Sequence, residues 1–146
     1  MVIIGIDPGE QTGIAIFRNL KLASLDTIKP EEIQDWLTVF HEREKIERVI
    51  YEDNRLTRFI FSAAKHNDKS PAYGRKIARN VGQNGAWGKV IDYTCGKLGI
   101  ISHGISPKGK GEKISAEKLF ELTGYAESSN QHKRDAAMVV LRSIRY

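Results

Sequence analysis

The sequence predicts a single α/β domain, and three observations carry that prediction. Two β-rich apolar runs, residues 2–6 and 13–17, lie on either side of Pro8 and Gly9. An amphipathic helical pattern then leads directly into the apolar run "RVIYE" at 48–52. Beyond it, helical stretches alternate with one further strand at 100–105. A chain of 146 residues with 40% hydrophobic content is enough for one core, so one domain is expected over 1–146.

Taken in order, residues 2–6 and 13–17 read as the arms of a hairpin, with 20–28 as a third strand. Pro30, Glu31 and Glu32 mark a helix start, and Ile33, Trp36, Leu37 and Phe40 recur at i, i+3, i+4 and i+7. The strand–helix–strand order ending at 48–52 favours a parallel pairing through a right-handed crossover. Residues 53–70 follow neither period, although "RFIFSAAK" allows a short helix. A long helix is expected around 71–98, with Trp87, Val90, Ile91, Thr94 and Leu98 on one side and Gly99 as its stop. Gly82, Gly85 and Gly88 recur every third residue within it, which points to another backbone lying close. The strand at 100–105 is followed by a basic, flexible loop, "SPKGKGEK", at 106–113. A short helix at 115–122 ends at Gly124, and Asn130 caps a last helix with a core stripe of Ala137, Val140, Leu141 and Ile144.

The net charge of +5 and pI near 9.3 suit a polyanionic partner. The charge is uneven: residues 31–47 hold six acids and two bases, whereas 54–79 hold seven bases and one acid. A polyanion should therefore meet the middle of the chain. No apolar run approaches the ~18 residues of a membrane span, and the N-terminus lacks a signal-peptide pattern, so no membrane partner and a cytoplasmic location are expected. The single cysteine, Cys95, falls inside an apolar helical pattern and reads as a small core residue.

Strand alternation puts Val2, Ile4 and Ile6 on one face and Ile3, Gly5 and Asp7 on the other. Asp7 thus ends a strand at the rim of the sheet, and Glu52 ends "RVIYE" in the same way. If the two strands are neighbours, the carboxylates converge. On the last helix His132 and Asp135, three apart, share a face beside the small residues Ala136 and Ala137. Read singly, each is an ordinary turn or cap residue. Together, carboxylates and an imidazole from two strand ends and one helix suit Mg²⁺ or Mn²⁺, which take oxygen ligands and leave positions open for phosphate.

At these residues the chain resembles the RuvC-type Holliday junction resolvases, nucleases of the RNase H-like fold. "IIGIDPGEQTGIAI" resembles the family's opening motif and "VIYED" its second acidic strand. "VGQNG" at 81–85 resembles the start of its long central helix, "SPKGKGEK" its lysine-bearing loop, and "HKRDAAMVVL" its last motif. The resemblance implies an α/β, RNase H-like fold: a central, mixed five-stranded sheet with helices on both faces. It implies a catalytic and metal-binding set of Asp7, Glu52, His132 and Asp135, two Mg²⁺ (or Mn²⁺) ions per active site, and paired, symmetric hydrolysis of four-way DNA junctions leaving 5′-phosphate and 3′-hydroxyl ends. His132 departs from the Asp of many relatives, which favours Mn²⁺. Arg55, Arg58, Phe59, Phe61 and Lys65 fall where the family's junction-probing loop lies, and Lys108 and Lys113, with Lys110 as a third candidate, match its phosphate-contacting lysines. Paired cuts imply a homodimer, with the helix at 82–98 as a candidate interface.

Three other readings stand beside this one. A flap or RNA–DNA hybrid nuclease would use the same metal chemistry on another substrate. An actin-like phosphotransferase would use "DPGEQTG" to cradle phosphates, but that class needs two such domains. A non-catalytic module for branched DNA is favoured if the acids fail to converge.

Overall fold

The computed structural model describes residues 1–57 and 71–144, apart from the side chains of residues 73, 77, 80, 81 and 110. Arg58, Phe59, Phe61, Lys65, the "RFIFSAAK" stretch and the side chain of Lys110 therefore lie outside the described residues. The elements are β1 (Val2–Asp7), β2 (Thr12–Arg18), β3 (Lys21–Ile28), α1 (Ile33–Arg43), β4 (Arg48–Glu52), α2 (Pro71–Leu98), β5 (Ile101–Ile105), α3 (Pro107–Lys110), α4 (Ala116–Thr123) and α5 (Gln131–Ser143).

Among the described residues the strands form a five-stranded sheet in the order β3-β2-β1-β4-β5. β2 runs antiparallel to β1 and β3, while β4 runs parallel to β1 and to β5. The sheet is mixed, and β1, β4 and β5 all end at one rim. Alternation along the strands divides the core in two. Ile4, Ile6, Val49 and Tyr51 pack with Ile33, Leu37, Ile91 and Cys95 of α1 and α2. On the other face Ile3 and Ile50 pack with Leu119 of α4 and with Ala136, Ala137, Val139 and Val140 of α5.

Close approach of α5 to the sheet depends on two glycines. A Cβ on Gly5 would overlap the Ala136 carbonyl, and one on Gly13 would overlap the His132 carbonyl. With hydrogen in place of Cβ, the helix backbone can rest on β1 and β2. Residues 135–141 of α5 are all buried, a wider face than the expected stripe, whereas Ile144, expected in that stripe, follows the last helical residue and is 36% exposed.

Other differences from the sequence reading have local causes. β3 starts at Lys21 because Asn19 and Leu20 both take positive φ, forming the hairpin turn whose twist matches the strands. Residues 30–32 form a 3-10 turn ahead of α1, which itself starts at Ile33. The expected loop at 106–113 contains the helical turn α3: Ser106 accepts the Gly109 N–H, and Pro107 sits at the first position. Among the described residues, the glycine series in α2 makes room for a side chain instead of a second backbone: Gly85 and Gly88 face Arg55, and no described residue lies near Gly82. Cys95 is fully buried, and burial pushes its thiol up to about 12, which makes it a packing residue.

Candidate active site

Asp7 is the last residue of β1 and pairs with Gly13 of β2. Because Gly13 lies against the His132 carbonyl, the first turn of α5 sits directly over the end of β1. His132 Nδ1 is 3.8 Å from Asp7 Oδ2. Asp7 is 8% exposed, whereas the imidazole is 46% exposed and opens to solvent. A cleft of about 650 Å³, lined by Glu10, Gln11, Thr27, Lys29, Glu32 and His132, opens beside it. The turn from Pro8 to Gln11 is braced by the buried Thr12, whose hydroxyl donates to the Gly9 carbonyl at 3.1 Å.

Glu52 ends β4. The β1–β4 pairing runs Ile3↔Arg48 to Ile6↔Tyr51, so the next step in register sets Glu52 beside Asp7. Glu52 shares the face of Ile50, as Asp7 shares that of Ile3, and both of those residues pack on the α5 side. Asp135, one turn after Gln131, is 5% exposed and accepts a hydrogen bond from Gln131 Nε2 at 2.7 Å. The fold thus carries Asp7, Glu52, His132 and Asp135 to one face at one rim, and brings Asp7 and His132 together.

The donors are those a hard divalent cation takes, three carboxylates and an imidazole, on a backbone frame that gathers them. In that sense the residues fit a metal. Their side chains are not preassembled around one point: among the described residues no group of three or more His, Cys, Asp or Glu is placed to hold a metal ion.

Sequence reasoning missed the partners that orient Asp135. Arg134 Nη2 donates to Gln131 Oε1 at 3.3 Å, which turns the Gln131 amide N–H₂ toward the carboxylate. Arg134 also donates to the carbonyls of Ile114 and Ser129, tying the preceding segments to the helix. The available signal was the Gln131–Asp135 spacing of four, which faces the two side chains on a helix.

Of the expected DNA-contacting residues, the described Arg55, Lys108 and Lys113 lie on two separate segments. Lys108, on α3, and Lys113, just after it, are exposed on the segment that leaves β5 at the acidic rim. Arg55 has its guanidinium hydrogen-bonded within the molecule, to Asp53, Asp92 and Tyr51. No described helix is long and apolar enough to cross a membrane.

The sheet order, the helices on both faces and the acidic rim together define an RNase H-like α/β fold. The chain is similar to a Thermus thermophilus RuvC structure in complex with Holliday junction substrate, with TM-score 0.64, 19% identity and coverage of 97% of this chain and 91% of that one. A second structure of Thermus thermophilus RuvC matches with TM-score 0.60 at 18% identity, covering 97% and 92% of the two chains. Its fold is RuvC-like over nearly its whole length. No protein-family model and no curated protein sequence matches the chain.

Proposed function

We propose that this protein is a divalent-cation-dependent endonuclease that resolves four-way DNA junctions by paired phosphodiester hydrolysis, as a homodimer. The observation that carries the reading is the placement of Asp7 and His132 within 3.8 Å at the rim where β1 and β4 end, on a RuvC-like fold. Asp7, Glu52, His132 and Asp135 would hold the cations. A divalent cation held there would supply Lewis acidity for activating a water and for stabilising the leaving 3′ oxygen, which would give 5′-phosphate and 3′-hydroxyl ends.

The remaining work falls to the chain itself. Asp7, on the central strand between Glu52 and the first turn of α5, would be the most central of the residues that hold cations. Gln131 orients the Asp135 carboxylate that would hold a cation. The solvent-open imidazole of His132 lines the cleft through which a phosphate would approach. Lys108 and Lys113 neutralise phosphates beside the rim, with Lys110, Arg58 and Lys65 as further cationic contacts and Phe59 or Phe61 as a base-stacking wedge. Two-fold symmetry of the junction accounts for paired cuts by two copies of the chain.

A second reading, a non-catalytic module for branched DNA, draws on the side-chain positions, in which three donors do not gather around one point. Cleavage assays on labelled four-way junction, duplex, flap and RNA–DNA hybrid, with Mg²⁺ or Mn²⁺, separate the two. The proposal expects cutting confined to the junction. Cutting of flaps or hybrids would move the substrate, and tight junction binding without any cutting would favour the module.

A further inference from the structure

On the α2 face of the sheet, the two neighbours of Glu52 are tied into one polar cluster. Tyr51 donates its hydroxyl to Asp92 Oδ1 at 2.8 Å. Arg55 Nε donates to Asp53 Oδ1 at 2.8 Å, and its Nη2 donates to Asp53 Oδ2 at 2.8 Å, Asp92 Oδ2 at 2.7 Å and the Tyr51 oxygen at 2.7 Å. Ser102 Oγ, on β5, donates to Asp92 Oδ1 at 2.9 Å. The Asp53 backbone N–H continues the β4–β5 ladder by donating to the Ile105 carbonyl at 2.7 Å.

Glycines make the space. Gly85 and Gly88 of α2 let the Arg55 side chain lie against the helix, and a Cβ on Gly104 would come within 2.9 Å of Asp53. Two carboxylates share one planar guanidinium, whose fork satisfies both at once; a lysine ammonium has no equivalent geometry. Hydrogen bonds to Asp53 and Asp92 hold the Arg55 guanidinium well above its ordinary value, so its charge is permanent.

We propose that Tyr51, Asp53, Arg55 and Asp92 form a positioning clamp that holds Glu52 beside Asp7, an inference that rests on reading Glu52 as a cation ligand. Consecutive side chains on a strand point to opposite faces. With Tyr51 and Asp53 both fastened to α2 and β5, the strand end cannot rotate, and the Glu52 carboxylate is committed to the α5 face. β4 is laddered to β1 as far as Tyr51 and to β5 as far as Glu52, and the 3-10 turn Asn54–Leu56 follows after Asp53, so the clamp adds side-chain ties at the point where the β1 ladder stops.

The test is Mn²⁺ binding measured by calorimetry on the intact protein. Wild type is compared with Arg55→Met, Arg55→Lys and Tyr51→Phe, and with Ile91→Val as a control that changes the α2 core and leaves the clamp intact. Thermal melts run alongside. The clamp predicts that Arg55→Met weakens Mn²⁺ binding by about tenfold or more, that Arg55→Lys fails to restore it, and that Ile91→Val leaves it within about twofold of wild type. If Arg55→Met does not fold, Tyr51→Phe, which removes one oxygen, carries the test through a smaller loss in the same direction. Wild-type affinity in a folded clamp variant would overturn the clamp alone. An absence of Mn²⁺ binding by wild type would overturn the cation site and the clamp with it.

Discussion

Glu52 and Asp53 are adjacent carboxylates with opposite surroundings. Alternation along β4 sends Glu52 toward α5 and Asp53 toward α2, where Arg55 holds it. That much of the site was legible, since the same alternation marked Asp7 and Glu52 as the acids of one face. Arg55 was not, because a basic residue in a basic stretch reads as a surface contact until Asp92, thirty-seven positions away, is folded beside it. Asp92 supplies a residue-scale prediction. Burial raises its pKa, but hydrogen bonds from Arg55, Tyr51 and Ser102 outweigh this and leave it below the ordinary carboxylate value. A carboxyl lowered by folding contributes stability fully above its unfolded value near 4, and loses it as pH falls through the lower, folded value. Urea denaturation at pH 6 and pH 3 should therefore show wild type losing more stability than Asp92→Asn. The difference should stay under about 1 kcal/mol because the side chain is 42% exposed. Equal losses would contradict this account of Asp92.

At the scale of elements, the decisive contact is that of α5 on β1 and β2. The sequence announced the helix through Asn130 and its apolar residues, and the structure has Asn130 Oδ1 accepting the Lys133 N–H at 3.0 Å. Its wider buried face was not legible, because it depends on Gly5 and Gly13 opening the sheet to a backbone from the far end of the chain. Asn130→Ala should cost about 1 kcal/mol in chemical denaturation, with Asn130→Asp close to wild type. A neutral alanine would remove the cap from the account. Gly13→Ala sets a methyl group against the His132 carbonyl, and overpacking of this kind costs about 1–3 kcal/mol. Since the displaced turn carries His132 and Asp135, cleavage should fall further than the melting temperature alone would explain. An active, fully stable Gly13→Ala protein would mean that α5 can lie elsewhere. The helical turn α3 was hidden for a different reason: proline and glycine make up half of it, and the Ser106 cap with Pro107 at the first position outweighs the weak propensity of Gly109.

For the molecule as a whole, the order of elements was readable because each has its own local signal: turn residues between β1 and β2, helical periodicity in α1, and an unbroken apolar β4. Strand order needed more, since only the parallel β1–β4 pairing converts two separate acids into neighbours. The resulting arrangement is asymmetric, with Asp7, Glu52 and His132 at one rim and the exposed Lys108 and Lys113 on the segment leaving β5 beside it. On the proposed function, Asp7 would hold a cation needed for cutting DNA. The most direct test is nicking of a labelled four-way junction by wild type and Asp7→Asn in Mg²⁺ or Mn²⁺, with junction binding measured in parallel without divalent cation. Wild type should make paired, symmetric nicks, and Asp7→Asn should lose cutting to background with binding unchanged. Equal cutting by the two proteins, or tight binding by wild type with no cutting, would contradict the proposed function.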